Sequence, residues 1–459
     1  MLVIISDLHL TDGPPRAIIS QDAFKIFRER LRDLAYAASV RKGETERYEP
    51  VSEIHLLLAG DILDVIRSPQ WLDSEVRPWD DPKSLAFVQK IREITQGILN
   101  LNYKSLQIIQ NINKLGVNIS KFHGGDPGAE PTVTVPVRTY YMVGNHDWFY
   151  HLPGAEYDAI RASIIDAFGL ANDRSAAFPH DPAESPAVQQ LCREHHVLVR
   201  HGDIYDSNNY EAPDRNRSSL GDAIVIELVG RFSHEVEKQL SGRISPRCLE
   251  GLQEIDNVRP LDLIPAWVDG LLRRTCKREE ADQVRHVWNQ VADDFLNIPF
   301  VRARHSSLKW GLRISGTMSL RDLGKIVPWL KNVVTSIGRV SPSLNALVSR
   351  LGMSEDFYPN AFREPAFLDP AISYIVYGHT HKHEIVPLRA GAGDDEGKVI
   401  YVNSGTWRTV EELACYRPKD EEFLGYRVMS YLAFFKGNER KGRSLETWSG
   451  ALESTGSLY

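Results

Sequence analysis

Asp7-Leu8-His9 sets a carboxylate and an imidazole two residues apart, so in extended backbone both project from the same side of the chain. Gly60-Asp61 offers a second carboxylate where a glycine lets the backbone turn tightly. Gly144-Asn145-His146-Asp147 brings an amide oxygen, an imidazole and a carboxylate into one turn, and His201, His379 and His381 add three more imidazoles. Carboxylate, amide and imidazole together suit borderline or hard divalent ions: manganese, iron, zinc or cobalt. One carboxylate can bridge two such ions about 3.5–4 Å apart, where a bound hydroxide is nucleophilic at neutral pH. Each fragment alone has an ordinary reading. Asp-x-His arises by chance, Gly-Asp follows many strands, and Asn-His-Asp is common in turns. Taken together, the donors fill two coordination spheres.

The elements that must position these groups are short apolar runs at residues 2–6, 54–59, 139–143, 197–200 and 373–377, each ending at one of the fragments. Runs of this kind mark strands buried on both faces. In layered α/β folds the ligand site lies beyond the carboxyl ends of the strands, so five such ends predict one shared site. Helical spacing fills the intervals, at residues 21–38 and along an apolar stripe from Leu85 to Leu115 that reads as a core face. Residues 121–136, rich in glycine and proline, read as a loop.

From 207 to 370 the pattern is mainly helical, with candidate helices at 222–240, 260–274, 279–296, 319–337 and 343–351. Strands return at 385–388, 399–403 and 426–435, and the polar tail after Lys436 is expected to be poorly ordered. The chain therefore reads as α/β in three parts: 1–206 and 371–459 form one core, and 207–370 is an insertion capping the strand ends.

Bulk properties narrow the function. A net charge of -7 over 459 residues argues against a protein built to grip long nucleic acid, though a local basic groove at Arg302-Ala303-Arg304-His305 to Lys309-Trp310 and Arg313 keeps a nuclease in view. The four cysteines, Cys192, Cys248, Cys276 and Cys415, show no CxxC spacing and suit a reducing compartment. The first residues read as a strand rather than a signal sequence, and no apolar run approaches the ~20 residues of a membrane span. A cytoplasmic location is expected.

The order and wording of the motifs resemble the calcineurin-like metallophosphoesterase superfamily: Asp-x-His, Gly-Asp-x-x-Asp, Gly-Asn-His-Asp, a lone His, then Gly-His-x-His. Here these are Asp7/His9, Gly60 to Asp64, Gly144 to Asp147, His201, and Gly378 to His381. Asn403-Ser404-Gly405-Thr406-Trp407 is similar to the segment that follows the last motif. The resemblance covers about residues 1–206 and 371–435. It implies a four-layer αββα sandwich and hydrolysis of a phosphomonoester or phosphodiester by a hydroxide bridging two divalent ions, manganese foremost. One ion would be held by Asp7, His9, Asp61 and His381, the other by Asp61, Asn145, His201 and His379. His146 would lie over the site and assist the leaving oxygen, Asp147 would orient His146, and Asp64 would hold a metal-binding histidine in its tautomer.

Ile5 to Leu10 and His201-Gly202-Asp203 are nearest in wording to the UDP-2,3-diacylglucosamine hydrolase branch. That branch usually has arginine where His146 stands, and its lid is much shorter than this insertion, so only the architecture is carried over. Arg16, Arg408 and Lys382 lie near motif segments as candidate phosphate-binding groups. Trp148, Phe149 and Tyr150 read as core. The expected substrate is a small or medium-sized phosphoester admitted beneath a helical cap, with the oligomeric state left open.

Overall fold

The computed structural model describes residues 1–13, 19–43, 47–210, 214–259, 263–304, 357–391, 397–416 and 422–456. All five apolar runs form strands. Leu2–Ile5, Ile54–Ala59 and Val137–Met142 are parallel neighbours in a seven-stranded sheet. Val197–Val199 and Tyr374–Tyr377 are parallel neighbours in a four-stranded sheet. The large sheet continues from Leu2–Ile5 through antiparallel Phe423–Phe434 to Thr409–Leu413. The small one continues through Val399–Ser404 to His383–Arg389.

Side chains alternate along a strand, so each strand of the large sheet feeds two cores. Leu2, Ile4, Leu57, Tyr140 and Met142 meet Val197, Val199, Tyr374 and Val376 between the two sheets. Val3, Ile5, Leu56 and Leu58 point the other way and pack on Phe24, Phe27, Ile91 and Ile160 from helices. On the outer side of the small sheet, Ile375 and Tyr377 are covered by Phe357, Tyr358 and Phe367. Burial on both faces explains why these strands are apolar throughout. The fold is α/β.

Helix Gln21–Ala38 begins where Ser20 accepts a hydrogen bond from the Asp22 N–H, a cap that contributes about 1 kcal/mol. It buries Phe24, Phe27, Leu31 and Leu34. The long stripe from Leu85 to Leu115 forms two helices, Leu85–Leu101 and Tyr103–Leu115. Between them Asn102 Nδ2 donates to the Ile98 and Thr11 carbonyls, competing with helix continuation. Leu85, Leu101 and Leu115 are exposed, so only the middle of each stripe is core.

Two expectations fail. Residues 121–136 include the strand Thr132–Val135, paired with Val117–Ser120. The polar tail contains Leu445–Gly456, antiparallel to Phe423–Phe434, anchored by Leu445 and by Trp448 stacked on Tyr431. A few apolar anchors suffice for a strand whose other face meets solvent.

The insertion packs helices Arg231–Leu240, Pro246–Leu252, Ile264–Thr275 and Arg278–Asn297 around Phe232, Trp267 and Trp288. The expected helices at 319–337 and 343–351 lie outside the described residues. A short strand that the sequence reading did not anticipate, Val258–Arg259, joins the large sheet parallel to Glu411 and Glu412. Among the described residues no helix is long and apolar enough to cross a membrane.

Candidate metal centre at the strand ends

The carboxyl ends of the five strands meet at one place, and the backbone there is unusual. Asp7, His9, Asp61, His379 and His381 all have positive φ, between 48° and 71°. Only three other non-glycine residues among those described share this conformation: His196, Arg440 and Lys441. It costs on the order of 1 kcal/mol or more per residue, so five in one cluster use a sizeable part of a fold's net stability. The chain holds them with ties between segments. The Asp7 and His9 N–H groups donate to the Gly60 and Asp61 carbonyls at 3.1 and 2.9 Å, and the Gly378 N–H to the His201 carbonyl at 2.9 Å. Asn403 Nδ2 and Thr406 Oγ1 secure the carbonyls of Gly378 and Asp7 at 2.8 Å each. Glycines allow the close approach: a Cβ on Gly60 would stand 2.5 Å from His201 Nδ1, and one on Gly378 2.5 Å from Asp7 Oδ2.

The side chains converge in two overlapping groups. His9 Nε2 lies 2.9 Å from His381 Nε2, 3.6 Å from Asp61 Oδ2 and 3.8 Å from Asp7 Oδ1. His381 Nε2 is 3.5 Å from Asp7 Oδ1. In the second group His201 Nε2 lies 3.1 Å from both Asp61 Oδ2 and Asn145 Oδ1, and His379 Nδ1 is 3.0 Å from Asn145 Oδ1. Asp61 Oδ2 belongs to both. Donors bound about 2.1 Å from one ion stand about 3.0 Å apart at octahedral and about 3.4 Å apart at tetrahedral angles, so these spacings fit edges of coordination polyhedra. Asp7–His9–His381 and Asp61–His201–His379 are each compact enough to hold an ion.

What lies behind each imidazole sharpens the fit. His9 Nδ1 faces Asp64 Oδ2 at 2.8 Å, His201 Nδ1 the Ala59 carbonyl at 3.2 Å, and His379 Nε2 Asp206 Oδ2 at 3.1 Å. Those partners only accept, so the outer nitrogen carries the hydrogen and the inner one presents its lone pair to the cluster. Asn145 Nδ2 donates to Asn209 Oδ1 at 3.3 Å, which turns its oxygen inward. Lone pairs from three elements thus face one another about 3 Å apart, an arrangement completed by a cation. The same field draws a proton to His201: burial works against its charged form, but Asp61, Asp7 and Asp203 outweigh burial and push it up to about 10. His381 is the exception. Arg259 Nη2 donates to its Nδ1 at 2.9 Å, and burial and Arg259 hold its pKa well below the usual range.

His146 is not in either donor group. Its N–H donates to Asp61 Oδ1 at 2.8 Å, its Nδ1 faces Asp64 Oδ1 at 2.7 Å, and its ring meets that of His9 edge-on at 4.7 Å. Burial opposes its charge, but Asp64 and Asp61 outweigh burial and raise its pKa. Its Nε2 has no hydrogen-bond partner among the described residues. Asp64 therefore positions two histidines, one oxygen to each. Asp147 does not orient His146, contrary to the expectation. Its carboxylate accepts from the Gly144 and Ile62 N–H groups at 2.6 and 2.8 Å and from the Tyr141 hydroxyl at 2.6 Å. Burial and Asp61 push it up to about 7. Asp147 shapes the turn that carries Asn145 and His146.

Of the candidate phosphate-binding groups, Arg408 is buried with Nη1 3.9 Å from Asp64 Oδ2. Lys382 is exposed and pairs with Glu384, and Arg16 lies outside the described residues. His383 Nδ1 bonds the Asn403 carbonyl, away from the donors. Trp148, Phe149 and Tyr150 are buried. In the suggested basic track, Arg302 bonds Asn297, while Arg304 reaches the Ser218 carbonyl and lies over the Phe300 ring; residues 305–313 lie outside the described residues. Three residues without an expected role also stand at the site: Asp206 beside His379, Arg67 beside Asp64 and Arg259 beside His381. Asp206 was within reach, three residues beyond His201-Gly202-Asp203, whereas Arg67 and Arg259 stand in no motif. Comparison with protein-family models and with curated proteins gave no match for this chain.

Proposed function

We propose that this protein is a dinuclear-metal-dependent phosphoesterase that hydrolyses a phosphomonoester or phosphodiester. The observation that carries the reading is the set of inward lone pairs and carboxylates from five strand ends, sharing Asp61 Oδ2. Asp7, His9, Asp61 and His381 would hold one divalent ion, and Asp61, Asn145, His201 and His379 the other. When bound, such ions supply Lewis acidity toward a phosphoryl oxygen and make a water acidic enough to ionise near neutral pH.

The chain's own groups do the rest. Asp64 faces His146 Nδ1, and Asp64 and Asp61 together favour the protonated ring, which leaves Nε2 as the nitrogen free to give up a proton. From there His146 donates to a phosphoryl oxygen and passes the proton to the leaving oxygen as its bond to phosphorus breaks. Asp206, Asp64 and the Ala59 carbonyl fix the tautomers of His379, His9 and His201, so that little reorganisation accompanies the reaction.

The paired sheets between helical layers agree with the αββα sandwich of the calcineurin-like superfamily, with 1–206 and 371–459 as core and 207–370 as a cap. The cap's Phe357 ring lies 5.6 Å from that of His379. The test is a hydrolysis panel of monoesters, diesters, nucleotides and single-stranded DNA after chelation and reloading with manganese, zinc, iron or cobalt, alongside metal analysis. Two ions per chain and metal-dependent turnover are expected, both lost in Asp61→Asn. Loaded protein that binds no ion pair and turns over no ester refutes the reading.

A further inference from the structure

Three arginines from distant segments gather beside the His9–His381 half of the centre. Arg67 follows Asp64 by three residues, Arg259 comes from the insertion strand, and Arg408 follows Asn403 to Trp407. Arg67 Nη1 and Arg408 Nη1 lie 3.4 and 3.9 Å from the same oxygen, Asp64 Oδ2, and Arg259 Nη2 touches His381. Asp64 is already engaged: Oδ2 faces His9 at 2.8 Å, and Oδ1 faces His146 at 2.7 Å and accepts from the Arg67 N–H at 3.1 Å.

The insertion supplies the remaining restraints. Asp256 Oδ2 stands 3.5 Å from Arg67 Nε, and Asn257 Oδ1 accepts from Arg408 Nη2 at 2.8 Å. The side chains of Arg67 and Arg408 are only 10% and 7% exposed, yet Arg67 Nε and Nη1 and Arg408 Nη1 are buried without a hydrogen-bond partner among the described residues. A buried cationic donor left unbonded is costly, and two guanidinium groups converge on the single oxygen Asp64 Oδ2. Guanidinium forks match the geometry of phosphate and of carboxylate, and the anion that a phosphoesterase substrate brings is a phosphate.

We infer that Arg67, Arg259 and Arg408 form an anion subsite that takes a second phosphate of the substrate, next to the one being hydrolysed. The inference rests on the phosphoesterase reading for its substrate, but the subsite is a property of the arginines. Its wall is made jointly by core and insertion, so the insertion selects the substrate as well as covering it.

The direct probe is inorganic pyrophosphate, titrated calorimetrically into the full-length, chelator-treated chain, with circular dichroism as the check on folding. Without metal the strand ends present carboxylates, so an anion reports on the arginines. Pyrophosphate should bind, and Arg259→Gln and Arg408→Gln should each weaken it about tenfold or more. Arg408→Lys, which keeps the charge, should lose less. Absence of binding, or equal binding in all four proteins, overturns the subsite. In the metal-loaded enzyme, kcat/KM is compared for the p-nitrophenyl ester of a nucleoside monophosphate, its 3′-phosphorylated counterpart, and the ester of the nucleoside diphosphate. The subsite predicts that one of the doubly phosphorylated esters is preferred, which also tells where the second phosphate sits, and that Arg259→Gln abolishes the preference. Hydrolysis with no preference sinks the subsite and leaves the phosphoesterase. Arginine-dependent pyrophosphate binding with no hydrolysis of any ester does the reverse.

Discussion

The candidate centre has two walls built on different terms. The wall of strand ends is polar but almost fully paired. Every imidazole there except that of His381 has an acceptor behind it, Asp147 accepts three hydrogen bonds, and positive-φ residues are locked by ties between segments. The wall contributed by the insertion, Glu254 to Arg259 with Arg408 and Glu411 across from it, gathers buried charged groups of both signs. A donor meets His381, Arg408 Nη1 is unbonded among the described residues, and Glu254 and Glu411 are buried close enough to raise the Glu411 pKa. Satisfied polar networks hold one geometry, whereas half-satisfied ones are stabilised by whatever completes them. The difference suggests that the first wall fixes the reacting atoms and the second recognises what arrives.

The largest effect should follow from removing the proton donor of the first wall. His146→Ala leaves every candidate metal ligand in place, and general acid catalysis is worth roughly 10²–10⁴ in rate. Turnover should fall by that factor while metal content stays at the wild-type level, measured on the same preparation. A variant with unchanged kcat would show that His146 only fills space beside His9. Parallel loss of metal and activity would show that it belongs to the binding wall.

A smaller effect tests whether the groups behind the ligands matter. Asp206 reaches His379 Nε2 at 3.1 Å, and its charge is favoured by that contact although burial opposes it. Removing such a partner typically costs about 10–100-fold in metal affinity. Asp206→Asn keeps the shape but lets the amide present either an acceptor or a donor. Competition titration with a metal chelator should therefore show weakened binding of one ion and an unaltered second. Equal weakening of both would mean that the two halves are not separable through Asp206.

The two walls also differ in how far they could be read from sequence. The five strands were legible because burial on both faces leaves continuous apolar runs, and the candidate ligands were legible because they stand immediately beyond those runs. Helix 21–38 was legible from its spacing. What stands behind the ligands was less so. The family resemblance implied that Asp147 orients His146, but only the packing reveals that Asp64 bonds His146 and that Asp147 serves Tyr141 and two backbone N–H groups. The insertion wall was opaque for a physical reason. Val258–Arg259 is two residues long and is a strand only because Glu411 and Glu412 lie beside it, so neither periodicity nor composition announces it. Leu445–Gly456 escaped for the same reason, its strand character being supplied by its partner.

The weakest effect concerns the joint where the insertion meets the large sheet. Glu411 pairs in register with Val258 and is 3% exposed. Burial, and then the neighbouring Glu254, push its carboxyl up from 4.5 to about 8. The sign follows from proton counting. Below about pH 4.5 both folded and unfolded chains hold the proton, and the contribution to stability is complete. Between there and about pH 8 the unfolded chain releases the proton while the folded chain keeps it, so stability falls, and above about pH 8 the loss levels off. Glu411→Gln carries no such proton. Its Tm should therefore stay level relative to wild type near pH 5 and rise above it by a few degrees at pH 9, the modest shift expected for a long chain. Parallel Tm curves for the two proteins from pH 5 to 9 would show that Glu411 is solvated or bonded enough to ionise normally. The insertion wall would then be as settled as the strand-end wall, and the contrast between the walls would reduce to the arginines alone.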